Sequence, residues 1–308
     1  MDTSFITLDT ITSNLNDSIN KLDKNDINID NSTLVLDTSL KNKMPNDYDI
    51  DSTIVHKIWG SASSSDIDND GLLDFVIGAS SKYLYLFDKN GLKNKYYANT
   101  DIRGSAAIGN LDDDEELEVV FSGTSSNNKL FVINHDCSDV ENFPLNLEGK
   151  VMSGVGLADF NNNGKDDIVI ATMDGKIYLI YDDSSIAQGF PYLTEGQVWT
   201  APSILKVDDQ KYIIVGSKYN HLHIINSDGS IHYKVPAEKD VGSPSFIKDG
   251  ENIWIAFGSE DKYLYMVNID GFPKDGWPKY VGGVISTSPV FADIDCDGEA
   301  EIVVVTES

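Results

Sequence analysis

The sequence has 308 residues, a mean hydropathy of -0.23 and a formal net charge of -27. No apolar run approaches the roughly 20 residues of a membrane span, which argues against direct membrane insertion by a helix. So acidic a surface repels phosphate backbones, which argues against nucleic acid as a partner. Cation binding is the reading of the acidity that depends on clustering, and here the carboxylates are clustered.

Residues 1–30 form an Asn-, Asp- and Ser-rich stretch. Ile11, Leu15, Ile19 and Leu22 repeat at helical spacing and predict one short helix in an acidic tail. The opening residues, Met1 to Phe5, lack a basic segment followed by an apolar one, so no secretory signal is read there. From residue 31 the pattern changes. Thr33-Leu34-Val35-Leu36 begins an apolar run whose continuation to Lys43 matches Tyr85 to Lys95 in its spacing of apolar, acidic and basic residues. Thr53 to Trp59 fits a further strand.

An acidic loop follows, and it recurs. Asp66-Ile67-Asp68-Asn69-Asp70-Gly71-Leu72-Leu73-Asp74 leads into Phe75-Val76-Ile77-Gly78. The second copy runs from Asn110 to Glu118 and leads into Val119-Val120-Phe121, the third from Asp159 to Asp167 and into Ile168-Val169-Ile170. Tyr212 to Ser217 and Trp254 to Ser259 keep the apolar run without the loop. The last copy, Asp293 to Glu301, leads into Ile302 to Val305. The ninth loop positions (74, 118, 167, 212, 254 and 301) are 44, 49, 45, 42 and 47 residues apart. After five of these runs comes a second, aromatic and β-branched one, such as Tyr83 to Phe87 or Leu222 to Ile225, too short for a helix. Each unit reads as strand A, loop, strand B, turn, strand C, turn, strand D.

A repeat near 45 residues with four short strands predicts an all-β chain, a six-bladed β-propeller of four-stranded antiparallel blades over residues 31–308. The alternative is seven blades. The last unit stops after strand B, and residues 32–59 supply the missing C and D strands. That predicts a ring closed by the N-terminal segment, with no free sheet edge.

The loops carry the chemistry. Calcium takes six to eight hard oxygen ligands. A loop that presents alternate side chains at positions 1, 3 and 5, a carbonyl at 7 and an acid at 9 supplies them, with glycine at 6 for the sharp turn. The predicted sites are Asp66, Asp68, Asp70, the Leu72 carbonyl and Asp74; Asn110, Asp112, Asp114, the Glu116 carbonyl and Glu118; Asp159, Asn161, Asn163, the Lys165 carbonyl and Asp167; and Asp293, Asp295, Asp297, the Glu299 carbonyl and Glu301. The first and last are the stronger. The third has two Asn ligands, and the second has Glu115 in place of glycine.

These four loops resemble the FG-GAP/VCBS repeats of integrin α-chain propellers and bacterial surface proteins. The resemblance implies structural calcium ions in the A–B loops of the lower face and ligand binding at the upper face. Two units lack the metal pattern and the blade count is six, so integrin partners do not carry over.

The positions just before each strand A are Trp59, Arg103, Met152, Trp199, Val241 and Ser286. By fold logic they ring the upper mouth of the channel. Trp59, Arg103 and Trp199 there suit a sugar or a peptide through stacking and charge-assisted hydrogen bonds. The competing reading of the tryptophans is packing between blades. The sequence holds no zinc-protease, P-loop or nucleophile-elbow motif and no cofactor-binding constellation, and His221 and His223 read as side chains of one strand. Cys137 and Cys296 fall in different repeats and read as unpaired. The expectation is a monomeric, extracellular or cell-surface adhesion module for a glycan or protein ligand, favoured over an enzyme. The alternatives are a polysaccharide lyase or hydrolase on the same scaffold and a purely structural domain.

Overall fold

A computed structural model describes residues 57–124 and 128–307. The chain divides into two units, Met1–Val55 and His56–Ser308, and the described residues belong to the second. The tail helix, the strands expected from residues 32–56 and hence the closure of the ring lie outside the described residues. Lys57 to Trp59, expected to end a strand, are not in one.

Every regular element among the described residues is a strand. The first sheet is β1 (Ser63–Ser65), β2 (Asp74–Gly78), β3 (Tyr83–Asp88) and β4 (Gly91–Tyr97); the second is β5 (Ala107–Gly109), β6 (Glu118–Ser122), β7 (Lys129–Ile133) and β8 (Leu145–Asn146). The third is β9 (Gly156–Ala158), β10 (Asp167–Ala171), β11 (Lys176–Ile180) and β12 (Tyr192–Leu193). The fourth is β13 (Ser203–Val207), β14 (Gln210–Ser217), β15 (His221–Asn226) and β16 (Ile231–Pro236). The fifth is β17 (Ser245–Asp249), β18 (Asn252–Gly258), β19 (Tyr263–Val267) and β20 (Lys279–Tyr280). In all five, strands pair antiparallel in chain order. A two-stranded sheet of β21 (Val290–Ala292) and β22 (Glu301–Val303) ends the chain.

The sheets stack face to face, which explains why their middle strands are apolar without alternation. Every residue of β6 and β10 is buried. One core joins the first sheet to the second through Val76, Leu86, Phe121 and Phe131, with the last two rings stacked at 4.9 Å. Others join second to third, third to fourth and fourth to fifth. A fully buried side chain of this kind contributes roughly 1.5–3 kcal/mol. The first strands of successive sheets are also tied together: the Ser63 hydroxyl donates to the Ala106 carbonyl at 2.6 Å, and the Ser245 hydroxyl to that of Pro289 at 2.5 Å.

The sheets are of two kinds. In the first and fourth, a tight turn at Gly91 or Gly229 leads into a long last strand with a bulge in its pairing. In the second, third and fifth, an aromatic residue and a cis-proline (Phe143-Pro144, Phe190-Pro191, Trp277-Pro278) precede a last strand of two residues.

Candidate metal centres and the opposite face

Antiparallel pairing puts the A–B and C–D connections at one end of each sheet and the B–C and D–A connections at the other. The acidic loops therefore share one end. They are stitched side by side: Leu117 N–H donates to the Ile67 carbonyl at 2.9 Å, and Asp166 N–H to that of Asn110 at 2.7 Å.

Three loops have the same internal wiring. The position-1 carboxylate accepts the N–H groups of positions 5 and 6. The distances are 3.0 and 2.9 Å at Asp66, 3.1 and 3.0 Å at Asp159, and 3.1 and 3.0 Å at Asp293. Position 5 accepts the N–H of position 7 (Leu72, Lys165 or Glu299), and position 9 accepts that of position 2. The backbone has positive φ at position 4 (Asn69, Asn162, Cys296) and at position 6 (Gly71, Gly164, Gly298). That conformation is cheap for glycine and tolerable for asparagine. In the second loop neither Asp113 nor Glu115 has it, so this loop turns differently, as the missing glycine requires.

Among the described residues, carboxylate oxygens gather within 4.8 Å of one another in three places: Asp66, Asp68 and Asp70; Asp112, Asp114 and Glu118; and Asp293, Asp295 and Asp297. The second cluster fits a hard cation best. Glu118 is fully buried, and its Oε1 and the Asn110 Oδ1 are buried without a hydrogen-bond donor. Such acceptors are costly unless a cation or a proton completes them. Burial, with the Asp112 and Asp114 charges added, pushes the Glu118 carboxyl up to about 7. Burial likewise lifts Asp167 to about 6.

The other loops are partly self-satisfied. In the third, Asn161 Nδ2 donates to Asp167 Oδ1 at 3.3 Å and Asn163 Nδ2 to Asp182 at 2.9 Å. In the first, Lys93 Nζ lies 2.5 Å from Asp68 Oδ2 and 3.4 Å from Asp74 Oδ2. Its hydrogen bond holds the Asp68 carboxyl below the usual range. Nothing in the loop motif itself announces a lysine from the fourth strand.

At the opposite end, the N–H that follows strand B bonds a carbonyl in the D–A loop: Ser80 to Lys57, Thr124 to Asp101, Met173 to Lys150, Lys218 to Gln197 and Glu260 to Asp240. This repeat places Trp59, Arg103, Met152 and Trp199 at equivalent points, two residues on. It also corrects the fifth blade, where the equivalent residue is Gly242. Val241 is buried like Ile102 and Ile285, and each of these three N–H groups bonds a carbonyl at the end of strand B: Ile102 that of Ala79, Val241 that of Ser217 and Ile285 that of Ser259. Apolar residues precede strand A in the preceding units too, so the sequence pattern alone points to the valine.

Trp59 is 53% exposed and Trp199 48%. Cations lie against both: Lys57 and Arg103 each 5.2 Å from the Trp59 ring, Lys218 4.6 Å from that of Trp199. The Arg103 Nε is buried without a partner. At this end Gly60 abuts Gly104, and Gly104 abuts Ser153, contacts that a Cβ would not allow. His223, by contrast, is fully buried, between the Tyr192 hydroxyl at 3.0 Å and Ser217 Oγ at 3.2 Å. Cys137 and Cys296 are both free thiols.

A family model described as the lambda-carrageenase beta-propeller domain matches residues 129–240. A comparison with curated proteins finds no match. Among solved structures, BBS1N in complex with ARL6DN is similar with a TM-score of 0.56 and 11% identity, over 82% of this chain and 78% of that one. The V. cholerae biofilm matrix protein Bap1 matches with a TM-score of 0.55 and 15% identity, over 78% of this chain and 45% of its own. BamB from Moraxella catarrhalis matches at 0.52 and 14%, over 82% and 76%. The described residues are all-β, and the chain contains a β-propeller domain.

Proposed function

We propose that this chain is a calcium-stabilised binding module of the FG-GAP/VCBS type: a six-bladed ring whose last blade is completed by residues 32–59, acting outside the cell. Its ligand surface is the D–A end around Trp59, Arg103 and Trp199. The observation that carries this reading is the pair of half-exposed tryptophans at equivalent points, each beside a cation, at the end away from the acidic loops. A flat aromatic ring stacks on the apolar face of a sugar, and a neighbouring cation donates charge-assisted hydrogen bonds to its oxygens. The ligand proposed is therefore a polysaccharide, in keeping with the carrageenase-type family model that matches residues 129–240. A protein ligand is the second reading, favoured by the BBS1N–ARL6DN complex among the structural neighbours.

The calcium reading rests on the all-oxygen donor sets and on the unpartnered Glu118 and Asn110 oxygens. The loops would supply structure, not catalysis, and the millimolar calcium outside cells suits their partial ligand sets.

Retention on immobilised λ-carrageenan tests the ligand surface. The expected result is retention of the wild-type protein and loss of at least about tenfold in affinity in a Trp59→Ala/Trp199→Ala variant, the size of removing an anchor worth over 1 kcal/mol. Equal retention of the two, with a lower melting temperature for the variant, would make the tryptophans packing residues.

A further inference from the structure

The bulge in the fourth strand of the first sheet has a specific product. Leu86 pairs with Asn94 and Phe87 with Leu92, so Lys93 is the extra residue between them. A bulge re-aims the side chain it carries. Here that side chain crosses to the acidic loop, where the ammonium bridges Asp68 at position 3 and Asp74 at position 9. The fourth sheet repeats the device without the loop. Its bulge leaves His232 as the extra residue, and the His232 ring packs 5.0 Å from Tyr212, which stands at position 9 of that unit. The bulge residue of this kind of blade thus points at position 9.

No described lysine or arginine lies within ion-pair distance of Asp112, Asp114 or Glu118, nor of Asp293, Asp295, Asp297 or Glu301; Lys165 reaches Asp113 and Asp182, neither of them a ligand position. The first loop is the one whose ligand carboxylates carry a resident cation from their own sheet. Asp74 is 3% exposed, and Lys93 satisfies it along with the Ile67 N–H.

Resting on the calcium reading of the loops, we propose that Lys93 is a built-in competitor of the metal in the first loop. It neutralises Asp68 and Asp74 when calcium is scarce, and it must leave before an ion can use both. The loop richest in aspartate in the sequence then fills after the second loop, and it responds to calcium at concentrations where the second loop is already loaded.

Calcium titration of the whole chain by calorimetry, with melting curves in chelator and in calcium, tests this. Lys93→Met keeps the apolar stem and removes the charge; Lys93→Arg keeps a cation. The first loop's share of the isotherm is the part lost in Asp66→Asn/Asp70→Asn. That share is expected to tighten by about tenfold or more in Lys93→Met, since the ion no longer displaces a bridging ammonium. It stays near wild type in Lys93→Arg. Lys93→Met also melts below wild type in chelator, where Asp68 and Asp74 lose their counter-ion, and the deficit closes in calcium. Identical isotherms for wild type and Lys93→Met, or a melting deficit of equal size in both conditions, would overturn the proposal while leaving the calcium reading intact. If neither protein binds calcium, the calcium reading itself fails, and the competition falls with it.

Discussion

Transfer from millimolar calcium into chelator is expected to lower the melting temperature, with calcium restoring it better than magnesium. The carboxylate clusters exist only when the A–B turns are formed, so an ion that binds them binds the folded chain. Each site adds about 1.4 kcal/mol for each tenfold excess of ion over its dissociation constant. Two such sites would give about 3 kcal/mol, or roughly 6–12 °C for a domain of this size. Asp297→Ala and Asp70→Ala should remove part of the response, and Asn163→Ala less, because the third loop already spends its amides on Asp182 and its own Asp167. Glu118→Gln should behave differently from all of these. It removes a buried charge whose Oε1 has no partner, so it should raise stability in chelator while abolishing the response of the second loop. Identical wild-type melting curves in chelator and in calcium would refute the metal reading.

The second large effect is acid sensitivity through His223. Burial holds this imidazole down to about 4, against about 6.5 in the unfolded chain. Between these values the unfolded chain takes a proton that the folded chain refuses. Stability is therefore complete above pH 6.5 and falls as the pH drops toward 4, by on the order of 3 kcal/mol. The groups facing the ring are the Tyr192 hydroxyl, Ser217, the carboxylate of Glu195 at 3.8 Å and the ring of His221 at 6.0 Å. Glu195 favours protonation but is shared with Lys234. Glu118 titrates the other way in the metal-free protein, since a carboxyl lifted to about 7 gains stability as the pH falls through that value. The comparison of wild type with His223→Gln, in one buffer and one calcium concentration, isolates the histidine. The stability difference should move in favour of the variant as the pH falls from 6.5 to 4. Parallel curves would show that the ring is already protonated when buried, or that it does not gate unfolding.

The repeat was legible because its signals are local. An acidic nonapeptide followed by a β-branched run marks loop and strand B in consecutive residues, and the buried β6 and β10 lie where Val119 to Phe121 and Ile168 to Ile170 predicted them. The ranking of the loops proposed above was not legible. It depends on Lys93, which is 25 residues from Asp68 in the chain and reaches it only through a bulge. It depends equally on the burial of Glu118, which comes from the stacking of whole sheets. The division into two kinds of blade was available, since Phe143-Pro144, Phe190-Pro191 and Trp277-Pro278 recur at one place in the unit, but the acidic loops drew the alignment instead. The one-residue slip at Val241 has a plain cause. In that unit an apolar residue and a glycine stand where others have an apolar residue and a large side chain, and the burial of Val241 and the hydrogen bond from Glu260 to Asp240 tell them apart.

The tie between the D–A loop and the end of strand B has a further consequence, for engineering. Lys57 and Ser80, like Asp101 and Thr124, are 23 residues apart, and Lys150 and Met173 keep the same interval. Differences in repeat length among these three units are therefore taken up beyond the tie, in the C–D stretch and the approach to the next unit, and the C–D turns open on the acidic end. A grafted peptide, an affinity tag or a fluorophore placed at Lys89-Asn90 would project from that end and leave the tryptophan face untouched. The same insertion in a D–A loop would break the register on which neighbouring sheets meet.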